Sequence, residues 1–88
     1  MNNPLAVAER VIIFLEALAE PEKEQGAEAA KIIRHSISKL AADREAALTS
    51  LQYDLSWKGV LDWQWSNETN AKLEAMCKEY WVSTRGGA

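Results

Sequence analysis

The sequence predicts an all-α fold, a small bundle of three to four helices with one long central helix, on three observations. Apolar residues recur at three- and four-residue steps in an opening, a central and a closing segment, which places them on one face of a helix. Helix-start residues stand where two of these segments begin, Asn3-Pro4 and Ser66-Asn67. Between Ala27 and Lys58 there is neither proline nor glycine to break a helix. The 88 residues are expected to form a single domain over 1–88, with 83–88 a flexible tail.

The first helix opens with Asn3 as its cap and Pro4 at its first position, where the missing N–H needs no partner. Leu5, Ala8, Val11, Ile12, Leu15, Leu18 and Ala19 form its apolar face. Ile13 and Phe14 widen that face beyond what one neighbour covers, as befits a helix at the centre of the bundle or one that lends part of itself to a subunit interface. Pro21 and Gly26 bracket Glu-Lys-Glu-Gln, which reads as a polar connection that ends the helix and reverses the chain.

The central segment carries Ala30, Ile33, Ile37, Leu40, Ala47 and Leu51 along one seam, with Arg44 between Leu40 and Ala47. Unbroken from 27 to 55, such a helix would be on the order of 43 Å long at about 1.5 Å per residue. The remaining elements are too short to cover it, so the expectation is either a homodimer or a kink near Asp43-Arg44-Glu45.

Residues 51–65 hold three of the four tryptophans and admit two structures. As a helix, Trp57, Val60, Leu61 and Trp65 share a face and Trp63 points elsewhere. As a hairpin turning at Lys58-Gly59-Val60, Trp57 faces Leu61, Leu55 faces Trp63 and Tyr53 faces Trp65, and the fold becomes α+β. A three-residue hairpin loop places its glycine last rather than in the middle, which favours the helix.

The last helix, capped by Ser66 or Asn67, buries Leu73, Met76, Cys77, Tyr80 and Trp81 and turns Lys72, Glu74, Lys78 and Glu79 outward. From Val82 onward the chain is expected to fray.

Composition narrows the function. A net charge of -3 and a pI near 5.1 leave no electrostatic footprint for nucleic acid or an anionic membrane, and charges interrupt every apolar run that might span one. A single cysteine excludes an internal disulfide and, with no leader-like N-terminus, points to the cytoplasm. No catalytic residue set, metal site or cofactor motif is legible: His35 is the only histidine, Cys77 lies on an apolar stripe, and no phosphate loop or nucleophile elbow occurs. The sequence therefore points away from an enzyme.

What it offers instead is aromatic surface. Four tryptophans, two tyrosines and a phenylalanine exceed what so small an interior accommodates. The leading expectation is a non-enzymatic protein-protein interaction module, a small inhibitor or adaptor of the kind mobile elements encode. Its partner-binding residues are Trp57, Trp63 and Trp65, with Trp63 and Trp65 as the anchors and Asp62 and Gln64 on the rim. A self-assembling scaffold subunit is the first alternative. A nucleotide or small-anion binder at a dimer interface is the second, through Lys31, Arg34 and His35, which share a basic helix face.

Overall fold

A computed structural model describes residues 3–85. They form four α-helices, α1 (Pro4–Glu16), α2 (Lys23–Ser38), α3 (Arg44–Asp54) and α4 (Asn67–Thr84), with 3₁₀ turns at Lys39–Ala41 and Val60–Asp62 and no strand among the described residues. The all-α bundle is thus established, and the hairpin is not formed. Helix α1 is central, packed against α2 along its length and against α4 on its other side, while α2 also packs on α3. Its Val7, Ala8, Val11, Ile12 and Leu15 are buried, and Phe14 is half-buried against them.

The start of α1 is as the sequence requires: Pro4 is its first residue and the Asn3 side chain accepts a hydrogen bond from the Leu5 N–H at 2.9 Å. Its end comes earlier than the apolar pattern suggests. The helix stops at Glu16, and the chain reverses over Ala17 to Glu22, through a cis Glu20–Pro21 peptide. Lys23 to Gly26 are consequently not a connection but the first turn of α2. Gly26 lies inside that helix because α1 comes too close for anything larger: a Cβ there would stand 2.3 Å from the Leu15 carbonyl oxygen. Ala29 and Ala30, fully buried, extend the same close approach by one turn.

The central segment is two helices rather than one. Helix α2 tightens into the 3₁₀ turn after Ser38, and Asp43, extended at φ −160° and ψ 113°, restarts the chain as the N-cap of α3. Its carboxylate accepts from the Glu45 and Ala46 N–H groups at 2.9 and 3.3 Å. The longest dimension of the molecule is 37 Å, so an unbroken helix of about 43 Å would have overrun the bundle. The kink resolves the excess length, and the long-helix argument for a dimer goes with it. Ala30, Ile33, Ala47 and Leu51 of the seam are buried and Ile37 and Leu40 half-buried.

Helix α4 follows its sequence pattern. Ser66 caps it by accepting from the Thr69 N–H at 3.2 Å; Leu73, Cys77 and Tyr80 are fully buried, and Met76 and Trp81 are half-buried. The helix continues to Thr84, where the hydroxyls of Ser83 and Thr84 bond back to the Tyr80 and Trp81 carbonyls. Of the expected tail 83–88, residues 83 and 84 are therefore helical, and 86–88 lie outside the described residues.

Candidate interaction surface

Between α3 and α4 the chain is neither strand nor continuous helix. Helix α3 ends at Asp54, and Leu55 turns inward to the core while its carbonyl accepts the Trp81 indole N–H at 2.7 Å. Gly59 then passes so close to the end of α3 that a Cβ would lie 2.2 Å from the Asp54 carbonyl oxygen and 2.4 Å from that of Tyr53. Val60 and Leu61 drop into the core from the second 3₁₀ turn.

From Trp63 the backbone is extended, φ −76° and ψ 159°, so residues two apart point to the same side. Trp63 and Trp65 stack with ring centroids 5.9 Å apart and planes within 7°, half-buried against the core. The Trp65 indole N–H donates to the Val60 carbonyl at 2.8 Å. The alternation that suggests a hairpin is real but spans only this short run, with no partner strand.

The run is clamped from a distance by α2. The Gln25 side-chain amide donates to the Gln64 carbonyl at 2.7 Å. The Glu22 carboxylate accepts from the Ser66 N–H and the Thr69 hydroxyl, each at 2.7 Å. These bonds, the Ser66 N–H first and the Thr69 hydroxyl second, hold the Glu22 carboxyl below the usual glutamate range. One carboxylate thus ties the beginning of α2 to the beginning of α4.

Of the five residues expected to meet a partner, Trp57, Asp62 and Gln64 are exposed, whereas Trp63 and Trp65 are largely consumed by the stack. Trp57, in the turn after α3, is 53% exposed, and Tyr53, in the last turn of α3, is 59% exposed. The sequence puts Tyr53 on an apolar face only in the hairpin reading, opposite Trp65. The α3 residues that do face inward, Ala47, Leu51 and Asp54, set a stripe from which Tyr53 is turned away, and that stripe was visible in the sequence.

The basic face of α2 divides. Arg34 crosses to α1 and holds Glu16 with two bonds, Nε to Oε2 at 3.1 Å and Nη2 to Oε1 at 2.8 Å, which raise its already high pKa. Lys31 and His35 remain exposed at the mouth of a separate groove of about 440 Å³ shared with Glu28, Ile32, Ser36, Ser50 and Asp54. The three side chains expected to bind an anion therefore do not converge on one point.

That groove has a polar floor not anticipated from the sequence. Asp54 is 8% exposed and accepts a hydrogen bond from the Ser36 hydroxyl; Ser36 and Ser50 are joined at 2.7 Å, and Lys39 Nζ donates to Ser50 at 3.2 Å. Burial pushes the Asp54 carboxyl above its usual range, against the Ser36 bond and the charges of Lys39 and His35. Asp54 lies on the inward stripe of α3, a position at which an apolar residue is the ordinary expectation.

Cys77 and Tyr80 are core groups. Burial pushes the Cys77 thiol up to about 12, with the Glu74 charge adding to it, which leaves no thiolate for chemistry at neutral pH. The Tyr80 hydroxyl, also pushed up to about 12, first by burial and then by Asp54, donates to the Leu48 carbonyl at 2.9 Å. Among the described residues no group of three His, Cys, Asp or Glu side chains gathers to hold a metal, and no helix is long and apolar enough to cross a membrane. Compared with protein-family models, with curated proteins and with solved structures, the chain has no match.

Proposed function

We propose that the chain is a non-enzymatic interaction module, a small inhibitor or adaptor, that docks another protein through Trp57 and Tyr53. One observation carries this reading: two large aromatics are left more than half exposed by a fold that buries Tyr80 fully and packs Trp63, Trp65 and Trp81 against its core. Tryptophan and tyrosine are enriched among the few residues that supply most of an interface's energy. Covering the exposed half of one tryptophan, out of about 150 to 250 Å² in all, contributes about 2 to 3 kcal/mol at roughly 25 cal/mol per Å².

Exposed charges flank the aromatics, with Lys58 beside Trp57 and Asp62 in the following turn. Within the expected partner-binding set, the anchoring role passes from Trp63 and Trp65 to Trp57. The anion-binding alternative finds no such support, because Arg34 turns to Glu16 on α1 while Lys31 and His35 line a different groove.

The test is affinity capture from a lysate of the source cell with the wild-type chain and a Tyr53→Ala, Trp57→Ala variant. Both side chains are exposed, so the variant keeps its fold. A stoichiometric protein held by the wild type and lost from the variant is the expected outcome. Equal capture by both removes the docking role.

A further inference from the structure

We propose that two copies of this chain associate through the α1–α2 face that carries Ile13. Ile13 lies in the last turn of α1 and is 66% exposed, although its neighbours Ile12 and Phe14 pack inward. Beside it the structure leaves an open groove of about 460 Å³, lined by Glu9, Ile12, Ile13, Arg34, Ile37 and Ser38. A projecting isoleucine and an apolar groove thus adjoin on one face, which is the condition for a two-fold interface: each copy presents both the knob and the hole. Rotation about an axis through this face sets each Ile13 over the Ile12 and Ile37 floor of the other copy.

The charges on the rim are arranged in the same sense. Glu9 stands on the α1 side of the groove and Arg34 on the α2 side, so the same two-fold exchanges them and brings Glu9 of one copy to Arg34 of the other. Arg34 is held by Glu16 through Nε and Nη2 and also feels the charge of Glu9 in its own copy, so the two-fold adds a second Glu9 to each guanidinium. A foreign partner would have to supply a matching knob, groove, acid and base; a second copy carries all four by construction.

The available surface is adequate. A stable dimer buries about 800 Å² on each partner, roughly a seventh of the 5563 Å² surface of this chain. The outer stripe of α1, Ala6, Glu9, Ile13 and Glu16, is exposed along the helix, about 20 Å for its 13 residues, and continues into the exposed C-cap Ala17. This face lies on different elements from Tyr53 and Trp57, so the inference does not depend on the docking role of that pair.

Sedimentation velocity over a wide concentration range tests it. The wild type is expected to pass from monomer to dimer mass as concentration rises. Ile13→Glu, at an exposed position that leaves the helical spectrum unchanged, is expected to stay monomeric throughout. Glu9→Lys is expected to raise the dimer Kd roughly tenfold at low salt, since it removes two symmetry-related ion pairs. A wild type that is monomeric at every concentration, or an Ile13→Glu variant that still dimerises, overturns the proposal. A Kd unmoved by Glu9→Lys overturns the two-fold register.

Discussion

At Gly26 two opposed effects meet, and their sizes decide the outcome of a substitution. Alanine is favoured over glycine inside a helix by about 1 kcal/mol. The added Cβ, however, would lie 2.3 Å from the Leu15 backbone oxygen and 3.0 Å from the Leu18 side chain, so α1 and α2 must separate. Forcing volume into a packed contact costs typically about 1 to 3 kcal/mol, more when backbone rather than a side-chain tip must yield. Gly26→Ala is expected to lower stability by about 1 to 2 kcal/mol, read as a shift of the urea midpoint at unchanged slope. A midpoint that rises would show that propensity wins and that the contact is looser than described.

The polar groups at this scale are equally specific in what they do. Trp81 and Trp65 each spend their indole N–H on a backbone carbonyl of the loop, Trp81 on Leu55 and Trp65 on Val60, which also accepts the Trp63 N–H. Such bonds are modest in net worth, and removing one partner of a part-buried pair costs more than the bond contributes. They explain why two of the four tryptophans are bound to fixed places while Trp57, for which no such bond forms, stays outside.

At the level of elements, the bundle is joined by side chains that reach from one helix terminus to another. Glu22 stands at the start of α2 yet serves the first turn of α4, where the Ser66 N–H and Thr69 hydroxyl need an acceptor. Its native pKa lies below the ordinary value of 4.5, so the native state favours the charged form. The stabilisation is therefore complete above pH 4.5 and is lost as pH falls through the native pKa. Thermal unfolding of the wild type and Glu22→Gln at pH 7 and at pH 3 measures this. The wild type is expected to melt higher at pH 7, and the gap to narrow on acidification. A gap that is the same at both pH values would show that the carboxylate charge contributes nothing.

The same scale shows how far the sequence carries. Helices α1 and α4 are legible because each has a cap residue and one apolar stripe, and local pattern is sufficient for both. The division of the central segment was legible only as the alternative of a kink near Asp43-Arg44-Glu45 to one long helix, and the cap that makes it is the Asp43 carboxylate. The segment from Leu55 to Ser66 was not. Its shape depends on Gln25 and Glu22, 39 and 44 residues away, and on an indole of α4, none of which leaves a mark on local periodicity. Tyr53 joins an apolar face only in the hairpin reading, where it alternates with Leu55 and Trp57; in the structure it is an outer residue of the last turn of α3, and Leu55 and Trp57 lie beyond the end of that helix.

Across the whole molecule, the excess of aromatic residues is resolved by division. One tyrosine and three tryptophans are drawn into or onto the core, and one tyrosine and one tryptophan are left outside. The sequence pointed to a surplus, but not to which side chains compose it, since that depends on how the loop is clamped. The interaction proposal stands on this division. So does its separation from the Ile13 face, which belongs to α1 and α2 and is the one proposed for self-association.

Acrylamide quenching of tryptophan fluorescence tests that division most directly, with the wild type beside single Trp57→Phe, Trp63→Phe and Trp65→Phe variants. The account predicts that the wild type contains one readily quenched, red-shifted component, that Trp57→Phe removes it, and that the other two variants retain it. Quenching that is unchanged in Trp57→Phe, with the accessible component lost instead from Trp63→Phe or Trp65→Phe, would contradict the account and return the anchoring role to the stacked pair.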